Sequence, residues 1–481
     1  MDKKRVVTKI NKFIFKQSKL QNSLNNAQAI GTLLWVNNIG IYSLCEIEKD
    51  LSNKCYEMYS KKNVAFDIHL NKKLFVVSEP YLSGGHTRLM EKLSSFYEVK
   101  PDLLITRNTD SVVLKRMSDY FDTILSFPDA SKDELDFIYQ LTEKIQGYNK
   151  VILNIHPDDI HTVVACFIAK KNNPELKIFF VNHADHVFTY GQTVADVWFE
   201  ISEFGRRIDV LRGLKAAKSF LGIPLDTSHQ KEMLGLEKKI IRAGDIFITA
   251  GAGFKYRPIR SLSLNTLIYP LLNEIPKSKV YVIGARKYLD YWWWINKLKF
   301  GSRLILMPTL EYDDYIKLTS QAKGYIDSHP LPGGSAFAEQ FFRGKICIGL
   351  TSPVQGYSPV EMLKVHKFDS KSLFSGEEQE KIYNESLLVH SYCNVKKRLL
   401  LATEYGIYSE NLCEKIMCWT GNEHCLESNV ISNIPCCLAL KNIPYRIIFS
   451  HGGILGIIKF FLLKMARKLR RIKIAKAVKL K

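Results

Sequence analysis

No Cys-x-x-Cys pair occurs anywhere in the 481 residues, although the chain has 10 cysteines. Cys45, Cys55, Cys166 and Cys347 stand singly, and the rest are loosely grouped between Cys393 and Cys437. Reduced thiols are therefore expected. The late group (Cys413, Cys418, Cys425, Cys436, Cys437, with His424 beside it) has spacings that match no usual zinc site. The opening MDKKRVVTKINKFIFKQSKLQNSLNN lacks an uninterrupted apolar core and a small-residue cleavage site, so no secretory signal is expected and the cytosol is the expected compartment. Acidic residues are scarce: 48 Asp and Glu stand against 68 Lys and Arg, a formal net charge of +20. Such a charge attracts nucleic acid, lipid headgroups or phosphorylated substrates over long range without choosing among them.

What is present is an ordinary globular composition, 46% hydrophobic and 24% charged, in a chain longer than one core usually serves. From about residue 73 short runs rich in Val, Ile, Leu and Phe alternate with longer segments of helical periodicity. KLFVVSEP, DLLITR, FDTILSF, KVILNIHP and KIFFVNH are the runs of the first half; a charged segment near 227–245 interrupts, and IFITAGAG, KVYVIGA, RLILMPTL, KGYIDSHP and KICIGL follow. Apolar runs without clean alternation suit strands covered on both faces, so two parallel-sheet α/β domains are predicted, with ligand expected in a cleft between them at the strand ends.

Several strand ends carry chemistry. SEPYLSGGHTRLMEKL places Gly84 and Gly85 at a strand-to-helix turn, followed by His86, whose imidazole can act as a general base or simply cap the helix. GYIDSHPLPGGSAFAEQFF puts Gly333, Gly334 and Ser335 at the start of a helix, where bared amides would hold a diphosphate. Glu339, four residues after Ser335, shares its face and can accept from ribose or sugar hydroxyls. TAGAGFKYRP adds Lys255 and Arg257, cations suited to neutralising a leaving group, in a loop that is neither a P-loop nor a dinucleotide fingerprint. In VNHADH, His183, Asp185 and His186 follow a strand; they fit the lip of a catalytic cleft, a structural histidine pair, or part of a metal site lacking a third ligand. Arg206, Arg207 and Arg212 follow as solvated arginines or as neighbours of the same anionic site.

DSHPLPGGSAFAEQFFRGKICIGL resembles the donor-binding segment of GT-B glycosyltransferases, in particular the bacterial and O-GlcNAc-transferase-like group. VNHADHVFTYG and DVWFEISEFGRR resemble a segment of bacterial glycosyltransferases of surface polysaccharide or protein glycosylation, and the likeness spans roughly 73–355. It departs at Ser335-Ala336, where the group tends to place consecutive threonines. The resemblance implies two Rossmann-like domains facing a cleft: 73–240 on the acceptor side and 241–385 binding a nucleotide-sugar donor, with a UDP-sugar favoured and no obligatory cofactor or metal. Around them are expected an extension, 1–72, a helical segment, 386–450, and a basic tail, 451–481. In that reading His86, His183 and Asp185 are catalytic, while Lys255, Arg257, Gly333, Gly334, Ser335 and Glu339 bind the donor. The acceptor would be a glycan, a lipid-linked molecule or a protein in bacterial surface-glycan synthesis (lipopolysaccharide, capsule or O-antigen).

Two other classes stay open. NIHPDDIHT resembles the metal-binding start of zinc-dependent N-acetyl-sugar deacetylases, but it lies mid-chain and has Ile160 where that family has Glu; His156 and Asp158 then read as a strand-end turn with an N-cap. A non-catalytic glycan-binding protein is the other. After Glu427 no acidic residue occurs, and ten Lys and Arg fall between Lys459 and Lys481 beside an apolar run too short to span a bilayer. That pattern predicts a helix lying on the anionic inner face of the cytoplasmic membrane, in preference to nucleic-acid binding.

Overall fold

The computed structural model describes residues 3–16, 19–60, 72–81, 85–107, 109–127, 133–228, 242–369, 376–416 and 423–428, and positions 454, 458, 461, 462 and 465. The chain divides into two compact units, one made of 1–200, 207–219 and 426–481, the other of 201–206 and 220–425. Gly84, Cys418, Cys436, Cys437, most of the 227–245 segment and nearly all of the basic tail lie outside the described residues.

In the first unit the Val, Leu and Phe runs become β1 (Leu74–Val77), β2 (Asp102–Ile105), β3 (Ile124–Ser126), β4 (Lys150–Asn154), β5 (Lys177–Val181), β6 (Val197–Glu200) and β7 (Ala217–Phe220). They form one seven-stranded sheet in the order β3-β2-β1-β4-β5-β6-β7. β1 and β2 are buried at every position, as strands covered on both faces must be. Val77 is level with Ile105 of β2 and Asn154 of β4, so the residues that follow these three strands emerge side by side at one edge. The helix Ile160–Asn172, capped by Asp159, is apolar nearly all round because the sheet lies on one side and the helices Leu20–Val36 and Cys45–Tyr59 on the other. The helix Lys3–Ile14 buries Val6, Ile10, Phe13 and Ile14 in the same core, at the spacing of one helical face. Phe180 and Trp198 stack at 4.2 Å between ring centroids, an aromatic pair worth about 1 kcal/mol beyond its burial.

The second unit repeats the plan with β8 (Ile246–Ala250), β9 (Lys279–Ile283), β10 (Leu304–Met307), β11 (Gly324–Ile326), β12 (Ile346–Leu350) and β13 (Lys364–Val365), in the order β10-β9-β8-β11-β12-β13. Every strand pair whose register is resolved, in both sheets, is parallel. The helices Asn265–Glu274 and Ser335–Phe342 pack on the sheet, and Gly376–His390 and Tyr392–Tyr405 follow, the latter begun by a Ser391 cap and ended by Gly406 at φ +67. Backbones also close up near the strand ends: a Cβ on Gly284 would lie 2.1 Å from the Gly251 carbonyl oxygen, so the turns after β8 and β9 meet only because Gly284 has no side chain.

Candidate functional site

Both sheets reverse direction of growth once, between β1 and β4 in the first and between β8 and β11 in the second. The carboxyl ends of strands flanking such a point form the crevice in which open α/β sheets hold ligands.

At the first of these points three histidines gather. His86, in the first turn of the helix Gly85–Ser94, stacks on His183 (5.2 Å between centroids) and meets His156 edge-on at 5.7 Å. His86 Nε2 lies 3.2 Å from the Glu79 carbonyl oxygen, which can only accept, so that nitrogen carries the proton and Nδ1 presents the lone pair. Burial holds the His86 pKa below the ordinary histidine value. The same cause pushes His183 well below it, and burial together with the Arg107 guanidinium brings His156 to about 4. His183 Nδ1 is buried with no hydrogen-bond partner. All three rings are therefore neutral at pH 7.

The HPDD segment builds the wall of this site. Asp159, buried, accepts from Ser78 Oγ, from Thr106 Oγ1 at 2.9 Å and from the Thr162 amide at 3.1 Å, tying together the ends of β1, β2 and β4 while capping the next helix. Asp158 accepts from Arg107 Nη2 at 2.9 Å and from Thr32 Oγ1 at 2.6 Å. His156 Nδ1 lies 3.3 Å from Arg107 Nη1. His156 and Asp158 of this motif thus both face the Arg107 guanidinium. Among the described residues no group of three or more His, Cys, Asp or Glu is arranged to hold a metal ion. The N-cap is Asp159, where the sequence pointed to the turn at His156 and Asp158. His156 and Arg107 are the residues that sequence reasoning left out of the site; their signal was position, since both follow strands that flank the reversal point.

Asp185 is buried, and its Oδ1 lies 3.3 Å from His186 Nδ1. Its carbonyl oxygen accepts from Arg212 Nη2 at 2.8 Å. Arg212 is buried, is ion-paired to Asp209 and also reaches the Val187 carbonyl, so it holds the 183–187 loop in shape; the expectation of a solvated arginine fails because that loop has backbone oxygens to satisfy. Arg206 pairs with Glu203 at 2.8 Å and Glu414 at 2.7 Å within the second unit.

At the second reversal point the loops after β8 and β11 meet. Lys255, in the short 3-10 turn Gly253–Tyr256, donates from Nζ to the Pro332 carbonyl at 3.1 Å, and the Leu331 amide lies 3.3 Å from the Lys255 carbonyl. Burial lowers the Lys255 pKa, and Asp327 works against that fall. Asp327 Oδ1 accepts from the Ser328 amide at 2.9 Å and the Gly333 amide at 2.8 Å, and Oδ2 lies 2.8 Å from Lys364 Nζ. Lys364, itself buried, pairs equally with Glu361 at 2.8 Å, whose other oxygen takes the Gly356 and Tyr357 amides. One lysine therefore clasps two loops. A Cβ on Gly333 would stand 2.7 Å from Asp327 Oδ1, and Gly334 turns at φ +62 into the helix Ser335–Phe342, which begins with no side-chain cap. That helix buries Phe337, Ala338, Phe341 and Phe342 and leaves Ser335, Ala336 and Glu339 half-buried on the other face. A helix start without a side-chain cap, with Lys255 bonded to the Pro332 carbonyl just before it, favours anions. Arg257 is exposed at the rim of its own loop.

Strand order 3-2-1-4-5-6 in both sheets is the Rossmann order, doubled in one chain. The fold is GT-B-like. No family model and no curated relative matches the chain. Among solved structures it is similar to Anabaena Alr3699/HepE in complex with UDP-glucose, at 12% identity over 68% of this chain and 98% of that one, with a TM-score of 0.49. It is also similar to a mutant of the Thermobaculum terrenum O-GlcNAc transferase (10% identity, 85% of this chain, 79% of that one, TM-score 0.44). A third similar structure is the UDP-GlcNAc 2-epimerase from Methanocaldococcus jannaschii (12% identity, 69% and 100%, TM-score 0.40).

Proposed function

We propose that the chain is a glycosyltransferase that moves a sugar from a nucleoside-diphosphate donor, with uridine favoured, to an acceptor hydroxyl of a growing surface glycan or glycoconjugate. One observation carries the reading: the half-buried Lys255 reaches the Pro332 carbonyl, next to the helix start at Gly334 and Ser335 that has no side-chain cap, beside the reversal point of the second sheet. A cation beside a helix start supports an anion site there, on the unit where the donor-binding motif falls. The acceptor O–H would give its proton to His86 Nδ1 as its oxygen attacks the anomeric carbon. The bond from that carbon to the diphosphate breaks, and the electron pair leaves on the phosphate oxygen, where Lys255, Arg257 and the helix amides take up the charge. In this reading no divalent ion is required. Glu339 would accept from ribose or sugar hydroxyls, and His183, with His156, would shape the pocket around the acceptor. Asp185 would fix the 183–187 loop together with Arg212. The basic residues from Lys459 to Lys481 would attach the enzyme to the cytoplasmic face of the membrane.

Thermal shift of the EDTA-treated protein against UDP, GDP, CMP and their sugar conjugates tests this. Stabilisation by one nucleotide, lost in Lys255→Met, supports the reading. Absence of any shift with all three, alongside stabilisation by zinc, would sink it.

A further inference from the structure

Residues 286–300 of the second unit, between β9 and β10, present an unusual surface. Tyr288, Leu289, Tyr291, Trp294, Ile295 and Leu298 are all exposed, Tyr288 at 77%, Ile295 at 80% and Leu298 at 86%. The helix Trp294–Phe300 turns Phe300 and Asn296 inward, together with Trp293 just before it, and Asn296 donates to Asn265 Oδ1 at 2.9 Å. Its outward face is Trp294, Ile295 and Leu298. A surface helix ordinarily shows the reverse, with polar residues outside. The polar edge of Trp294 is satisfied within the chain, Nε1 donating to the Lys287 carbonyl at 3.2 Å, so what remains exposed of the ring is apolar.

The charges beside these side chains are of one sign. Arg286, Lys287, Lys297 and Lys299 lie in the stretch, and its single carboxylate, Asp290, is buried against Arg286 at 2.6 Å. Lys287 lies 5.5 Å from the Tyr288 ring centre and Lys299 3.9 Å from that of Tyr269, keeping ammonium groups beside aromatic faces. We propose that this face docks on an anionic lipid bilayer, with Trp294, Ile295 and Leu298 entering the headgroup boundary and Lys287 and Lys299 meeting lipid phosphates. Trp and Tyr with lysine, and without an exposed carboxylate, match the composition of membrane-interface belts. A protein-binding patch would be depleted of lysine at its centre. The docking holds whether or not the chain transfers sugar, and it is separate from attachment by the basic tail.

The test uses the full chain and vesicles of phosphatidylcholine with and without phosphatidylglycerol. Flotation with the anionic vesicles, quenching of tryptophan fluorescence by brominated lipid, and a roughly tenfold or greater loss of both in Ile295→Glu/Leu298→Glu are expected. Trp294→Phe should bind yet lose most of the quenching, which places the indole in the bilayer. Both substitutions are at exposed positions, and unchanged circular dichroism and melting would show that the fold persists. Binding that is indifferent to the double variant but abolished by Arg470→Gln/Arg471→Gln would assign the membrane contact to the tail and overturn the proposal. So would a concentration-dependent dimer that the double variant dissolves, since the patch would then be an interface between copies. Absence of flotation with either vesicle would overturn it as well.

Discussion

His86 and Lys255 are asked to treat a proton in opposite ways. His86 must be empty to take one from the acceptor, and burial, which lowers its pKa, keeps it so at neutral pH. If His86 is the base, kcat should fall as pH drops through a value below 6.5 and stay level above it. His86→Ala should lower kcat by about 100-fold or more and abolish that acid limb, which a pH–rate profile would read. Lys255 must keep its proton, yet burial lowers its pKa; Asp327 opposes that fall without cancelling it. Lys255→Met is expected to raise the KM for donor and lower kcat together, because the ammonium serves both the bound and the departing diphosphate. Glu339 stands on the half-buried face of its helix, so Glu339→Ala should cut transfer severalfold or more while leaving the fold intact by circular dichroism.

At the scale of elements, the clasp formed by Lys364 is the feature most exposed to damage. Lys364→Met would leave Asp327 and Glu361 buried without their cation, a change that typically costs about 3–5 kcal/mol and would be seen as a fall in the urea midpoint. Nothing in EMLKV, residues 361–365, betrays this role beforehand, since a lysine in a short edge strand ordinarily faces water. The strands were easier to read. LFVV is buried at every position and apolar throughout, and DLLI is so after the paired Asp102, whereas β7, AKSF, has only two fully buried positions and leaves no such trace. His86 and His183 were each legible as strand-end residues, but that their rings stack on one another was not. His156 was not, because its motif also spells a turn, and only the position of Arg107 decides what its side chain faces. The Asp-Asp pair divides its labour in a way spacing cannot reveal: Asp158 holds a guanidinium and Asp159 holds strand ends.

Across the whole molecule, acid should be more damaging than base. His156 in the first unit and His329 in the second are buried, and their pKa values are brought down to about 4 from 6.5, burial being the main cause in both. Between those two values the unfolded chain binds protons that the folded chain refuses, so stability rises with pH through that window and is lost as pH falls. For His329 alone the loss would approach ~3 kcal/mol at most, and His329→Gln should flatten that part of a melting-temperature profile measured from pH 7 to pH 4. The ties of the first unit also set an order of events. Lys3 meets Glu427 at 2.9 Å, Tyr42 reaches the same carboxylate, and the Ser428 amide bonds the Asn38 carbonyl at 2.8 Å. On a ribosome the early helices and the seven-stranded sheet are made long before Glu427, and the second unit must emerge in between. The first unit therefore waits, through the synthesis of its companion, for the few residues that fasten its opening helix.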